Sequence, residues 1–133
     1  MTDLDFSDFS ALVVEDNDFV RLMVVKYLTE FGFGYVFEAT NAAEGIEQLT
    51  RKPDIIICDI NMAPTNGYEL LAHVRNSGGM QAQVPFIFLT GNADKSFVKK
   101  AIDLKVDAYL LKPVQPQPLK KKIISLMMQR LTA

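Results

Sequence analysis

Ile55-Ile56-Ile57-Cys58 is a run of four apolar residues closed by an acid, Asp59. A strand with one wet face alternates apolar and polar residues; this run is apolar on both faces, as a strand of a parallel sheet covered by helices on each side must be. The acid at its end needs solvent or a partner. Four more short runs repeat the theme: Ala11-Leu12-Val13-Val14, Tyr35 to Ala39, Pro85 to Leu89 and Ala108-Tyr109-Leu110-Leu111. Segments of helical period lie between them. Asp16-Asn17-Asp18 can cap a helix whose apolar stripe is Val20, Val24, Tyr27, Leu28 and Phe31, and Gly32 stops it. Asn41 can cap a shorter helix, Ala42 to Thr50, with Ala43, Ile46 and Leu49 spaced to face a core. Further helices are expected over Gly67 to Ser77, with Leu70, Leu71 and Val74 on the apolar face, and over Asp94 to Leu104, with Phe97, Ala101 and Ile102 turned inward. The last is expected over Pro116 to Leu131, where proline suits the first turn. Five strands alternating with five helices predict an α/β fold, a doubly wound five-stranded parallel sheet with right-handed crossovers. Ligand sites in such sheets lie beyond the carboxyl ends of the strands.

The chain has 133 residues, enough for one core, so one domain is expected over residues 1–133, with residues 1–9 as a short acidic N-terminal extension. Hydrophobic residues at 49% and charged residues at 23% exclude a disordered chain. A net charge of -2 argues against a nucleic-acid partner, yet it hides a division along the chain. Residues 1–93 carry 5 basic and 13 acidic side chains, net -8, whereas residues 94–133 carry 9 basic and 3 acidic, net +6. The single cysteine, Cys58, can form no internal disulfide and reads as a small buried hydrophobe. The acidic N-terminus lacks the basic start of a secretory signal, and no run is long enough to span a membrane. A cytoplasmic protein without membrane insertion is the expectation.

The residues that end or follow the strands form a chemically coherent set. Strand one delivers Glu15 and Asp16, strand three Asp59, strand four Thr90, and strand five Lys112 followed by Pro113. Three carboxylates in one cleft raise one another's pKa unless a cation sits among them, and a few carboxylates with several waters suit Mg2+. Thr90 and Lys112 can hold an anion. A metal, a nucleophilic carboxylate, a hydroxyl and a lysine together suit phosphoryl transfer, in which catalysis is mostly positioning and charge neutralisation.

At these residues the chain resembles the response-regulator receiver domains of two-component signalling, over nearly its whole length. Leu12-Val13-Val14-Glu15-Asp16-Asn17 matches the acidic-pair motif, and Ile57-Cys58-Asp59-Ile60-Asn61-Met62 the phosphoacceptor motif. Leu89-Thr90-Gly91 matches the switch-hydroxyl motif, and Asp107 to Pro113 the terminal lysine-proline motif. The resemblance implies a flavodoxin-like sheet of strand order 2-1-3-4-5, the order of a chemotaxis receiver. It implies that Asp59 accepts a phosphoryl group from a phosphohistidine of a sensor histidine kinase or a histidine phosphotransfer domain. Mg2+ or Mn2+ would be held by Glu15, Asp16, Asp59 and the backbone carbonyl of Asn61. Thr90 and Lys112 would contact phosphoryl oxygens, Tyr109 would be the switch aromatic, and Lys112-Pro113 would be a cis peptide. The chain departs from the pattern after Met62, where Ala63 precedes Pro64 and Thr65-Asn66 lead into Gly67.

A stand-alone receiver is the expectation, signalling by binding an unidentified downstream protein or acting as a shuttle in a phosphorelay. Whether it counts as an enzyme is open, since it would catalyse only its own phosphorylation and dephosphorylation. In the last helix, Leu119, Ile123, Leu126 and Met127 form the core stripe, while Ile124, Met128 and Leu131 form a second. With Lys95, Lys99, Lys100, Lys121 and Lys122, Ile124 and Met128 make a candidate partner surface. An aspartate-nucleophile phosphohydrolase is the competing reading. Its Asp-x-Asp-x-Thr pattern is absent, with Asn61 and Ala63 at the second and third places. A flavin or nucleotide binder is disfavoured by Glu15-Asp16-Asn17-Asp18, which would repel a phosphate after strand one. His73, with no second His or Cys nearby, reads as a solvated helix residue.

Overall fold

A computed structural model describes residues 4–62, 66–91, 99 and 102–132. The strands are β1 (Ser10–Val14), β2 (Tyr35–Ala39), β3 (Ile55–Asp59), β4 (Phe86–Thr90) and β5 (Ala108–Leu111), and the helices with both ends described are α1 (Asp18–Phe31), α2 (Ala42–Gln48), α3 (Gly67–Arg75) and α4 (Pro116–Thr132). All strand pairs are parallel, in the order β2-β1-β3-β4-β5. The sheet is therefore the flavodoxin-like one. Most of the helix expected over Asp94 to Leu104, including Phe97 and Ala101, lies outside the described residues; Lys99, Ile102 and Asp103 are helical.

Alternate residues along each central strand point to opposite faces. Ala11, Val13, Ile55, Ile57, Ile87 and Leu89 join Val24 and Leu28 of α1 and Leu119, Ile123, Leu126 and Met127 of α4 in one core. Leu12, Val14, Ile56, Cys58, Phe86 and Phe88 join Leu70, Leu71 and Val74 of α3 in the other. The uninterrupted apolar runs of β1, β3 and β4 are thus a consequence of feeding two cores. Three helices start on local caps. The Asn17 side chain accepts from the Val20 N–H and opens α1, and Gly32 closes it in the left-handed region at φ 104°. Asn41 and Asn66 cap α2 and α3 in the same way as Asn17.

Three expectations shift. Ala43 is exposed, and Ala42 and Gly45 are the buried residues of α2. A Cβ on Gly45 would stand 3.0 Å from Leu70 and 3.3 Å from Val14, so the helix turns its smallest residue toward the tightest contact. Ile102 is 63% exposed instead of turned inward. The acidic N-terminal segment carries a core residue: Phe6 is 2% exposed and its ring stacks on Phe33 at 4.6 Å and 2°. The Gly34 N–H donates to the carbonyls of Phe6 and Phe9, stitching that segment beneath the sheet. Among the described residues, no helix is long and apolar enough to cross a membrane.

Candidate functional site

Because the strands are parallel, their carboxyl ends share one edge, and the polar residues there converge. Glu15 is fully buried, Asp59 and Thr90 are each 3% exposed, and Asp16 faces solvent. One carboxylate oxygen from each of Glu15, Asp16 and Asp59 lies within 4.8 Å of the others. Lys112 reaches in from the end of β5, its Nζ 2.9 Å from Glu15 Oε1 and 3.2 Å from Asp59 Oδ1. The Lys112 N–H donates to the Thr90 carbonyl at 2.8 Å, and the Lys112–Pro113 peptide is cis. Backbone donors complete the inner wall: Asn17 N–H to Glu15 Oε2 at 3.2 Å and Asn61 N–H to Asp59 Oδ1 at 3.4 Å.

Burial pushes the Glu15 carboxyl up to about 7; the Lys112 hydrogen bond opposes this and the Asp59 charge adds to it. Burial alone would lower the Lys112 pKa, but its bond to Glu15 and the charges of Asp59 and Glu15 outweigh this and raise it, so the side chain stays an ammonium. One ammonium among three carboxylates leaves an excess of negative charge, supplied entirely by oxygen donors. That donor set fits a hard divalent cation. Cys58 plays no part: burial holds its thiol well above the ordinary value, and its Sγ–H donates to the Asp59 carbonyl.

The strand end bearing Asp59 is pressed by α3. The Gly67 N–H donates to the Ile60 carbonyl at 2.8 Å, and a Cβ on Gly67 would stand 2.5 Å from the Asp59 carbonyl oxygen and 2.9 Å from the Phe88 ring. Only glycine allows that approach.

Tyr109 is 42% exposed and lines a surface groove of about 690 Å³ with Ile102, Leu111, Pro118 and Lys122. The residues of α4 grouped into a partner surface divide between two flanks of the helix. Pro118 and Lys122, four apart, border that groove. Lys120 lies over the Phe31 ring of α1, and Ile124 and Met128 continue its stripe; Ile124 is partly buried against the core, and Met128 is exposed. A helix of 3.6 residues per turn cannot present Lys122 and Ile124 side by side. Lys99 and Lys121 are exposed. Lys95, Lys100 and the segment Ala63-Pro64-Thr65 lie outside the described residues. His73 is exposed.

Two features near the site escaped the sequence. Phe19, Val20, Met23 and Val24 of α1 line an apolar pocket of about 140 Å³ with Lys112, Pro113 and Val114, and Phe19 and Leu22 are 68% and 61% exposed. Arg21 donates from Nη1 to the Glu15 carbonyl at 2.9 Å, from Nε to Glu38 at 3.1 Å and from Nη2 to Asp18 at 2.6 Å. A cation in the first turn of a helix opposes the helix dipole. That misfit was the available signal.

The family model for the response regulator receiver domain matches residues 11–124. The chain belongs to the response-regulator receiver family. This receiver is 33% identical over 114 residues to the chemotaxis protein CheY1 of Helicobacter pylori, covering 84% of this chain and 91% of that protein. It is 35% identical over 114 residues to the chemotaxis protein CheY homolog of Campylobacter jejuni, covering 84% and 87%. Regulator of RpoS from Escherichia coli is 34% identical over 108 residues, which are 78% of this chain and 30% of that protein. Among solved structures, the chemotaxis protein CheY4 of Vibrio cholerae superposes with a TM-score of 0.82 at 26% identity, covering 89% of this chain and 98% of that one. The receiver is thus the domain of a CheY-like response regulator, a phosphorylation-dependent signalling switch.

Proposed function

We propose that Asp59 is the phosphoacceptor, taking a phosphoryl group from the phosphohistidine of a sensor histidine kinase or a histidine phosphotransfer domain. The nitrogen–phosphorus bond of the donor breaks as a bond forms to a carboxylate oxygen of Asp59, and the imidazole leaves with its electron pair. The observation that carries the reading is the Lys112 ammonium bridging buried Glu15 and Asp59, with the Asp16 carboxylate at the mouth. Glu15, Asp16, Asp59 and the Asn61 carbonyl would hold Mg2+ or Mn2+, which supplies charge neutralisation for the incoming phosphoryl oxygens. Lys112 and Thr90 orient those oxygens, and burial of Glu15 and Asp59 keeps the inner wall dry. The surface that answers phosphorylation is the groove beside β5, with Tyr109 as its switch aromatic and Lys99, Lys121 and Lys122 supplying positive charge toward a downstream protein. We place this chemistry in a single receiver domain working in the cytoplasm.

Docking of the phosphohistidine donor, in direct signalling or in a relay, is supported by one further observation. The exposed Phe19 and Leu22 and the apolar pocket against Pro113 adjoin the mouth, where a phosphohistidine-bearing helix has to dock. The test is mass spectrometry after incubation with Mg2+ and a small phosphodonor. One phosphoryl group is expected on the wild type and none on Asp59→Asn; no gain on the wild type, or an undiminished gain on the variant, overturns the proposal. Multiple turnover of a small phosphate ester would instead mark a phosphohydrolase.

A further inference from the structure

Arg21 belongs to none of the motifs, yet its guanidinium spends all three nitrogens tying the loop that delivers the acidic pair to β2 and α1. Nη1 donates to the Glu15 carbonyl, Nε to Glu38 near the end of β2, and Nη2 to Asp18 at the start of α1. The side chain is only 13% exposed although it is charged. The Glu15 carbonyl belongs to the same planar peptide as the Asp16 nitrogen, so holding that oxygen fixes the plane from which the Asp16 carboxylate departs. The other side of Glu15 is held too, by its N–H donated to the Ala39 carbonyl at 3.0 Å, one residue beyond Glu38. Glu15 is buried and held in place, whereas Asp16 is exposed.

We infer that Arg21 is a positioning residue for the cation site: it pins the Glu15–Asp16 peptide to β2 and α1, and so holds the Asp16 carboxylate within reach of Glu15 and Asp59. The inference rests on the metal reading of the acidic cluster. The fork geometry matters as much as the charge, because three acceptors on three elements must be met at once, which a lysine ammonium on one flexible stem cannot do.

The sign of the effect separates this role from simple electrostatics. Arg21 is itself a cation, so removing it should tighten binding of a divalent ion if only its charge counted. If it positions Asp16, removing it should weaken binding. The experiment is isothermal titration calorimetry of Mg2+ into the unphosphorylated full chain at low temperature and neutral pH, with circular dichroism confirming that each variant is folded. Arg21→Met should bind roughly tenfold more weakly than wild type, the usual scale for losing a group that orients a metal ligand. Arg21→Lys, which keeps the charge and serves if Arg21→Met does not fold, should also bind more weakly, by about threefold. If the wild type binds Mg2+ and the folded variants bind it equally or more tightly, the assignment of Arg21 is overturned while the metal site stands. Absence of saturable Mg2+ binding by the wild type overturns the metal reading itself, and this inference with it.

Discussion

Charged clusters sit at both ends of the sheet, and they are built to different stoichiometries. At the amino ends of β4 and β5, Arg75 donates to Asp107 Oδ2 at 2.8 Å and to the carbonyls of Ala82, Val84 and Lys105, while the Phe86 N–H donates to the same Asp107 oxygen at 2.7 Å. One cation meets one anion there, and the remaining donors meet backbone carbonyls. At the carboxyl ends one ammonium, Lys112, faces Glu15 and Asp59 with Asp16 close by. A cluster whose charges match ties elements together. A cluster with charge in excess spends folding stability to hold a group that is still to arrive. Residue type alone does not separate the two ends, since each joins a basic side chain to acid; the count of acids does.

The strongest way to break the contrast is to remove charge from the carboxyl end. Asp59→Asn should abolish phosphoryl uptake while raising unfolding free energy by about 1 kcal/mol in the absence of a divalent cation, because one of three repelling carboxylates is gone. Chemical denaturation beside the phosphorylation assay measures both. The reverse pattern is expected at the other end. Asp107→Ala should cost about 2–3 kcal/mol of stability by removing the counter-charge of Arg75 and leaving the Phe86 N–H without its acceptor, with phosphoryl uptake unchanged well below the melting temperature.

A pH series sharpens the same comparison. The Glu15 carboxyl, raised by burial to about 7 from its ordinary 4.5, binds its proton more tightly in the folded chain than in the unfolded one. Its contribution is fully present below about pH 4.5 and is lost as pH rises through about 7. Without a divalent cation, stability attributable to this group should therefore fall by about 3 kcal/mol across that window, and saturating Mg2+ should flatten the fall. Melting curves at several pH values, with and without Mg2+, check it. The smallest effect is expected where a matched pair lies in open solvent. Lys26 and Glu30 stand 4.0 Å apart and well exposed, and Lys26→Met should change stability by less than about 0.5 kcal/mol and phosphorylation not at all.

The three central strands were legible because both faces of β1, β3 and β4 feed cores, which leaves apolar runs with no other reading. Their ends were legible for the same reason: an acid after Ile55-Ile56-Ile57-Cys58 stands out against its background. Element bounds shifted by a residue or two, as where β4 runs Phe86–Thr90 and not from Pro85, which has no N–H for the ladder. What stayed hidden depends on distant partners. Ala43 and Ala42 are interchangeable by composition, and only the approach of Leu70 to Gly45 decides which one turns inward. Ile102 reads as core by its chemistry but borders the groove beside β5. Helix period alone separates Lys122 from Ile124, but which flank of α4 each takes waits on the Lys120–Phe31 contact. Arg21 is an ordinary surface arginine until Glu38, seventeen residues on, comes beside it.

The Phe6–Phe33 stack has a practical consequence for anyone cutting this chain. The family match begins at residue 11, and an expression boundary drawn there would discard Phe6, leaving the Phe33 ring facing water and a hollow under the sheet. Loss of a buried phenylalanine costs about 3 kcal/mol or more, a large share of a small domain's stability. Sequence likeness and physical closure end at different residues here, and a truncation that respects the second begins ahead of Leu4, which packs partly buried against the same core.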